Sequence, residues 1–587
     1  MTIFFLPLDS KRIKHGRTLA EIGFGGYTDG MTATEEIRKR MEAEEIDLLI
    51  LFSADPHLCE NVPDFFNERK RLLGFRGSAG IVILTRNRVF FRTDSRYYLE
   101  CERLFENSDT VLIRDGAPGV PSLEEWLLDE AQKGYTVAVN KSGIAHPLYT
   151  CLETVCRQKG AVLTDFDPEP GRHFSPGADP LTVVEKNFSV TFQKKLDMVR
   201  RGTECDAVLL TAPDTIAWLT GLRLFREVRE DVFFYAWCLI TSDECLLFTD
   251  HSLPRPLPGV SVLPYREFLP RIDTVSGMKI ECSFSDLNEK LRELLVSHRN
   301  VLSDGGLRIR LLQTVKTRFQ IAGIKRAATV EKRAVARLRG RLLRAAADGV
   351  CFTEADVAQW LEELRREEAS YRGASFETIA AFGENGAVVH YKPEAATAAP
   401  VTGGGLLLLD CGIHTTDGTT DMTRVFWTGG GRPPAEAVRD YTTVLKAHIA
   451  LARAVFPPGT PGAELDAIAR SEAERGGVKY GHGTGHGVGW INCVHEPPFS
   501  ISPSCRVGAQ PGMVVSVEPG CYRKGSYGIR LENLYAIVSD RASGMLCFER
   551  ITDFPFEKEL IDGSRLTEEE KKWLDSCGTV GPLSESF

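Results

Sequence analysis

Apolar and polar positions alternate along the 587-residue chain in more than one rhythm, and the changes of rhythm divide it. Through the first half, apolar runs of strand length alternate with charged stretches of helical character, which predicts an α/β arrangement. The run "DLLILFSADPH" from Asp47 is echoed by "DAVLLTAPDTI" from Asp206, 159 positions later. Further on, "IVILTRNRVFFRTDSR" (81–96) is echoed by "WCLITSDECLLFTDHS" (237–252). In each, two apolar strands flank a polar turn and end in Thr-Asp, at Thr93-Asp94 and at Thr249-Asp250. The second offset, 156 positions from Thr85 to Thr241, is close to the first, so we read one α/β module present twice. Pro-rich and charged segments near 165–190 separate the copies. Over 315–345 the pattern turns helical, with Gly349 as the C-terminal stop.

Beyond that helix the apolar runs carry acidic residues. "GGGLLLLDCGIHTTDGTTDMTRVFWTG" (403–429) reads as a strand, a turn and a return strand. Asp410 closes a run of four leucines and Asp421 opens the return, and a buried aspartate is costly unless paired or metal-bound. Asp417-Gly418 has the composition of a two-residue hairpin turn, which accounts for Asp417 without chemistry. That turn leaves Asp410 and Asp421 on one face but four positions out of register, about 13 Å along the strand. Sharing one centre would require a wider turn or a bulge. "VVSVEPGCYRKGSYGIRLENLYAIV" (514–538) is a second hairpin, with Lys524-Gly525-Ser526 as its loop. Counting outward from Arg523 and Tyr527 pairs Glu518 with Glu532, whose Cβ atoms would be about 4.5–5.5 Å apart. Carboxylates that close repel, and one keeps its proton unless cations lie between them.

The tract "YGHGTGHGVGW" (480–490) places His482 and His486 four apart, the spacing of a helical histidine pair. Glycine at every second position from 481 to 489 excludes the helix, each costing an interior about 1 kcal/mol relative to alanine. Gly483 also stands where the glutamate of an H-E-x-x-H zinc motif would be. One histidine of this pair, two aspartates and two glutamates make an oxygen-rich set suited to a pair of divalent ions. Such a set favours Mn(II) or a similar metal over a structural zinc.

Composition narrows the setting. A net charge of −9 gives no hint of nucleic acid or an anionic membrane as partner. The basic stretch Arg333–Arg344 is interleaved with alanine and leucine, as on a solvated helix face. No apolar run approaches the roughly 20 residues that span a bilayer. The N-terminal "IFFLPL" precedes its basic residues, the wrong order for a secretory signal. Fifteen scattered cysteines without a C-x-x-C pair suit free thiols in a reducing compartment, so a cytoplasmic protein is expected.

Taken together, "LDCGIHTTDGTTDMTR", "HGTGHGVG", "VEPG" and "GIRLEN" resemble, in order and spacing, the metallopeptidases of the pita-bread fold, and among them the aminopeptidase P group. "GAVVHYKP" (386–393) and "NCVHEPP" (492–498) resemble the same group's substrate-histidine segments. "GFRGSAG", "TDSRYY" and "TIAWLTGLR" in the first half resemble its long, three-domain form. Two segments depart from the pattern, "AAFGENG" before His390 and Pro497 after Glu496. The resemblance implies an α/β (α+β) chain with an extension over 1–30, creatinase-N-like modules over 31–182 and 183–322, and a pita-bread catalytic domain over 323–587. It makes Asp410, Asp421, His486, Glu518 and Glu532 ligands of two divalent ions, Mn(II) or alternatively Co(II) or Zn(II). Glu518 would be the general base of a hydroxide bridging those ions. His390, His482 and His495 would line the substrate site, with His390 and His495 also catalytic. Arg530 is assigned to substrate binding or, with Tyr522, to supporting the ligands. The implied activity is removal of an N-terminal residue preceding proline, by a homodimer. A prolidase-like Xaa-Pro dipeptidase and a metal-free peptide- or histone-binding relative are the alternatives. His414, His448 and the six N-terminal histidines are read as structural.

Overall fold

The computed structural model describes residues 32–580 except 173, 185–189, 227–230 and 430, so the extension 1–30 lies outside the described residues. The two related segments of the first half form two six-stranded sheets. Across the first, the order is Thr110–Arg114, Val89–Thr93, Ile81–Thr85, Leu48–Leu51, Thr136–Val139 and Val162–Asp165. Across the second it is Ser261–Leu263, Cys245–Phe248, Trp237–Thr241, Ala207–Leu210, Lys279–Cys282 and Val301–Asp304. Every neighbouring pair runs in the same sense in both sheets. The duplication read from short strand motifs thus extends to the whole topology.

The central strands, such as Leu48–Leu51 and Ala207–Leu210, are apolar throughout because both of their faces are buried. Successive side chains point to opposite sides. Leu48 and Ile50 pack with Trp126 and Leu127, while Leu49 and Leu51 pack with Ile37, Met41 and Phe75. The leucine run before Asp410 is sandwiched in the same way. Leu406 and Leu408 face Tyr441 and Val444, whereas Leu407 and Leu409 face Val335, Leu338 and Leu361. The expected helix spans Arg318–Ala347, 30 residues, opened by a Thr317–Gln320 capping box. Gly349 follows its end in the left-handed region at φ +67°.

The hairpin around Asp410 and Asp421 corrects the sequence reading by one residue. The Thr415 N–H donates to the Gly418 carbonyl at 2.9 Å, and His414 bridges Thr419, so the turn residues are Thr416 and Asp417. Asp410 then lies opposite Thr423, two residues from Asp421 on the same face. The offset is two positions, about 7 Å, instead of four. The misleading residue was Gly418. A Cβ there would lie 2.7 Å from Cα of Ile324, and one on Gly323 would lie 2.3 Å from the Asp417 carbonyl oxygen. Both glycines let the hairpin press against the long helix. Gly525, at φ +72°, is a true turn glycine.

The second hairpin follows the expected register. Arg523 pairs with Tyr527 and Gly520 with Arg530, and beyond the gap Val517 pairs with Asn533. Glu518 and Glu532 occupy that gap. There the ladder opens: the Glu518 N–H donates to the Thr484 carbonyl at 2.7 Å, and the Glu532 N–H to the Thr423 carbonyl at 3.2 Å. Separating the strands at this level makes room between the carboxylates.

A buried polar seam joins the second sheet's region to the loop carrying His495. Lys316 and Glu496 pair with 2% of each side chain exposed. Thr314 Oγ1 donates to Glu496 at 3.1 Å, and Asn492 Nδ2 donates to the Asp214 carbonyl at 3.0 Å. The Glu496 N–H donates to the Gly487 carbonyl at 2.8 Å, tying the His495 loop to the His486 segment. Glu496→Ala strands the Lys316 ammonium and should cost about 3–5 kcal/mol, read as a lower denaturant midpoint. The double change Lys316→Met/Glu496→Leu should recover most of that loss. A midpoint unchanged by Glu496→Ala would mean that the seam does not anchor the loop.

Candidate metal centre and cleft

The described residues enclose a cleft of about 1310 Å³ walled by the first α/β module on one side and the acidic strands on the other. His486 stands at its base, on a short strand, Gly485–His486, paired with Ser500–Ile501. The glycines around it permit close approach on both sides. A Cβ on Gly485 would lie 1.9 Å from the Ser516 carbonyl oxygen, and one on Gly487 would lie 2.3 Å from that of Glu496. The His486 Nδ1–H donates to the Gly487 carbonyl at 3.0 Å, which turns Nε2 toward the carboxylates. That nitrogen is 3.3 Å from Asp421 Oδ2 and 3.5 Å from Glu518 Oε1.

Asp421, His486 and Glu532 each offer a ligand atom within 4.8 Å of the others. Glu518 joins them through His486, and Asp410 through Arg530, whose Nη2 donates to Asp410 Oδ2. The five residues singled out as ligands therefore converge. Thr423 Oγ1 donates to Glu532 Oε2 at 2.7 Å, and Ser516 Oγ to Glu518 Oε1 at 3.1 Å, fixing one oxygen of each. Asp410 Oδ1 and Glu532 Oε1 are buried with no hydrogen-bond partner. Buried acceptors of this kind are costly unless a cation or proton meets them, so the donor set fits divalent metal. Burial, reinforced by Asp421, pushes the Asp410 carboxyl up to about 6, although Arg530 opposes the shift. Burial and three neighbouring carboxylates drive Glu532 well above its usual range. Glu518 goes the other way: burial would raise it, but His486, His482 and Arg530 outweigh burial and hold it low. His486 is carried up to about 9 against burial by Asp421 and Glu518.

Arg530 is 2% exposed and clamps this arrangement. Besides Asp410, it donates through Nε to Thr423 Oγ1 at 3.2 Å and through Nη1 to Tyr522 OH at 2.9 Å. Tyr522 in turn lies 2.8 Å from His482 Nε2, while His482 Nδ1–H donates to the Gly483 carbonyl at 2.8 Å. Burial pushes the His482 imidazole down to about 4, and Arg530 adds to this, so it is neutral and accepts from Tyr522. These contacts link Arg530 to Asp410 and, through Tyr522, to His482, and Arg530 also lines the cleft.

His495 packs edge-on against His486, ring centres 4.4 Å apart, with its Nδ1 3.0 Å from Glu60. Burial would raise the Glu60 carboxyl, but His495 prevails and holds it at about 2. His390 reaches across to Tyr97, Nδ1 to OH, at 2.7 Å. Glu60 and Tyr97 belong to the first module, and sequence reasoning gave neither a role. "TDSRYY" marked the neighbourhood of Tyr97, while nothing local distinguished Glu60. His414, on Thr419 Oγ1, and His448, between the Leu531 carbonyl and Tyr535 OH, are structural as expected. All fifteen cysteines are free.

Comparison with known proteins identifies the parts of the chain. Residues 322–539 match metallopeptidase family M24, and 544–577 match its C-terminal region. The creatinase/prolidase N-terminal domain matches twice, at 34–170 and 175–320, in keeping with the duplicated sheets. The chain is 32% identical to a probable Xaa-Pro aminopeptidase P of Tuber melanosporum, over 93% of this chain and 94% of that one. It is 32% identical to aminopeptidase P2 of Arabidopsis thaliana, over 92% and 84%. Among solved structures, an X-prolyl aminopeptidase from Caenorhabditis elegans, described as a cytosolic enzyme with a dinuclear active site, superposes with a TM-score of 0.85. That match is 26% identical and covers 92% of this chain and 94% of the other. The chain belongs to the Xaa-Pro aminopeptidase P family, within metallopeptidase family M24.

Proposed function

We propose that the chain is a metal-dependent aminopeptidase that hydrolyses the N-terminal Xaa-Pro bond of peptides. The observation that carries this reading is the convergence of four carboxylates and one imidazole, two oxygens unpartnered, at the base of a cleft with room for a peptide. Asp410, Asp421, His486, Glu518 and Glu532 would hold two divalent ions, Mn(II) in preference to Co(II) or Zn(II), whose Lewis acidity lowers the pKa of water and polarises a carbonyl.

The chain's own groups do the rest. Glu518, kept ionised by the histidines and Arg530, takes a proton from the attacking water. His390 is neutral, because burial and the nearby Arg96 and Arg530 hold its pKa well down, and it donates to the scissile carbonyl as negative charge develops there. His495, with Nδ1 on Glu60, delivers a proton to the leaving proline nitrogen. His482 lines the opposite wall, oriented by Tyr522. Within this proposal the enzyme acts in the cytosol, the compartment given for the nematode relative, and works as a homodimer.

With Mn(II), the purified protein should release the first residue of an unblocked Xaa-Pro-Xaa peptide, and acetylating that N-terminus or adding chelator should stop it. A tripeptide should be cleaved faster than the Xaa-Pro dipeptide, the reverse of a prolidase. Asp421→Ala and Glu518→Ala should each lower kcat/KM by at least about 1000-fold without altering the circular dichroism spectrum. Near-normal turnover in both variants would refute the site.

Metal uptake should also be linked to protons. His486, carried up to about 9, and Glu532, driven well above its usual range, retain protons in the metal-free protein that a cation must displace, whereas Asp410, at about 6, is mostly ionised near pH 7. Binding Mn(II) near pH 7 should therefore release protons, and its affinity should rise with pH. Titration in weakly buffered solution measures this, and proton uptake on binding is the opposing result.

A further inference from the structure

Two sequence motifs of the first module, "GFRGSAG" (74–80) and "TDSRYY" (93–98), enter the reaction described above only through the charge of Arg96, yet they meet at one side chain. Tyr97 is 2% exposed and packs edge-on against Phe75, ring centres 5.3 Å apart. The 74–80 loop folds over it at Gly77, where a Cβ would lie 2.6 Å from the tyrosine ring. Arg69 Nη1 donates to the Ser78 carbonyl at 2.8 Å and holds that loop. At the far end of the ring, the Tyr97 hydroxyl lies 3.1 Å from the Ser78 N–H, 2.9 Å from Ser78 Oγ and 2.7 Å from Nδ1 of His390. The two rings are perpendicular, at 83°.

Counting protons limits these bonds to two patterns, in which the Tyr97 proton goes either to His390 Nδ1 or to Ser78 Oγ. The backbone N–H of Ser78 can only donate, so the Tyr97 oxygen accepts it. When Ser78 Oγ–H donates as well, the single proton of Tyr97 goes to His390 Nδ1. A neutral imidazole that accepts at Nδ1 carries its hydrogen on Nε2. Nε2 is then the donor left for the cleft that His390 lines.

We propose that Tyr97 is a positioning residue for His390: its hydroxyl, seated by Ser78, fixes the imidazole as the Nε2–H tautomer and aims that hydrogen at the scissile carbonyl. The inference rests on the reading of His390 as the carbonyl's donor and deepens it. On this view the first module is a working part of the catalytic centre, since it supplies the group that prepares a histidine 293 residues away.

Tyr97→Phe removes one oxygen and keeps the ring contacts. It should lower kcat about tenfold on an Xaa-Pro-Xaa peptide while leaving KM within about twofold, the signature of an interaction that matters in the transition state. In a His390→Ala background the same change should have no further effect, because a residue acting through His390 has nothing left to act on. His390→Gln, whose amide reaches the Nε2 position, should retain more activity than His390→Asn, whose amide occupies the Nδ1 position. Nitrogen NMR of histidine-labelled, metal-free protein, assigned by loss of the signal in His390→Ala, should show protonation at Nε2 alone in the parent and a divided proton in Tyr97→Phe. An unchanged kcat in Tyr97→Phe, an equal loss in the His390→Ala background, or one identical tautomer in both proteins would overturn the proposal. If His390→Ala keeps full turnover while the NMR result holds, it is the role of His390 that fails, and the tyrosine's control of the tautomer stands.

Discussion

Crowded negative charge is the constraint around which the catalytic half is built. Four carboxylates and an imidazole share one end of a cleft, Asp410, Asp421 and Glu532 buried there, and at such separations they cannot all ionise without a compensating cation. Arg530 is the fixed cation of the arrangement, and it reaches only Asp410 directly. The remaining charge is distributed by local devices: a threonine on one glutamate, a serine on the other, and a histidine between an aspartate and a glutamate. The backbone serves the same end, since the hairpin ladder opens at Glu518 and Glu532 and gives its hydrogen bonds to other segments there. What stays unsatisfied, one oxygen of Asp410 and one of Glu532, defines where positive charge belongs.

The same field separates the histidines into kinds. His486, among carboxylates, is biased toward the charged form, whereas His390 and His482, held down by burial and then by guanidinium groups, are neutral. Chemically equivalent side chains are thereby given different work within one cleft. Each of the three histidines that line the cleft beside His486 has a hydrogen-bond partner: Tyr522 for His482, Tyr97 for His390, Glu60 for His495. Two of those partners come from the first module, so the cleft depends on how that module docks as much as on the acidic strands.

What could be read from the chain alone follows the range of the interactions. The pairing of Glu518 with Glu532 was legible because a short loop fixes register by counting, and the count survives the opening of the ladder. The Asp410–Asp421 hairpin misled by one residue because Gly418, next to an aspartate, has turn composition while its actual duty is to admit the long helix. No local pattern distinguishes a glycine needed for φ from one needed for proximity. The glycine tract excluded a helix correctly, but its partners, Ser516 and Glu496, were invisible until the chain folded. Glu60 and Tyr97 lay furthest from reach. Their partners are hundreds of positions away, and only the folded geometry brings them together.

The two matching sheets carry a lesson about duplication. At the position equivalent to Tyr97, the offset between copies leads to Leu253, which packs against the second module's own apolar core. In one copy this position carries a hydroxyl that reaches His390, and in the other an apolar side chain that stays within its own module, which is bonded to the His495 loop through Asp214 and Asn492. Once such a division of labour is established, the copies are no longer interchangeable despite their common topology. One copy is bound by the chemistry of its hydroxyl, and its twin by the buried polar bonds that hold the His495 loop.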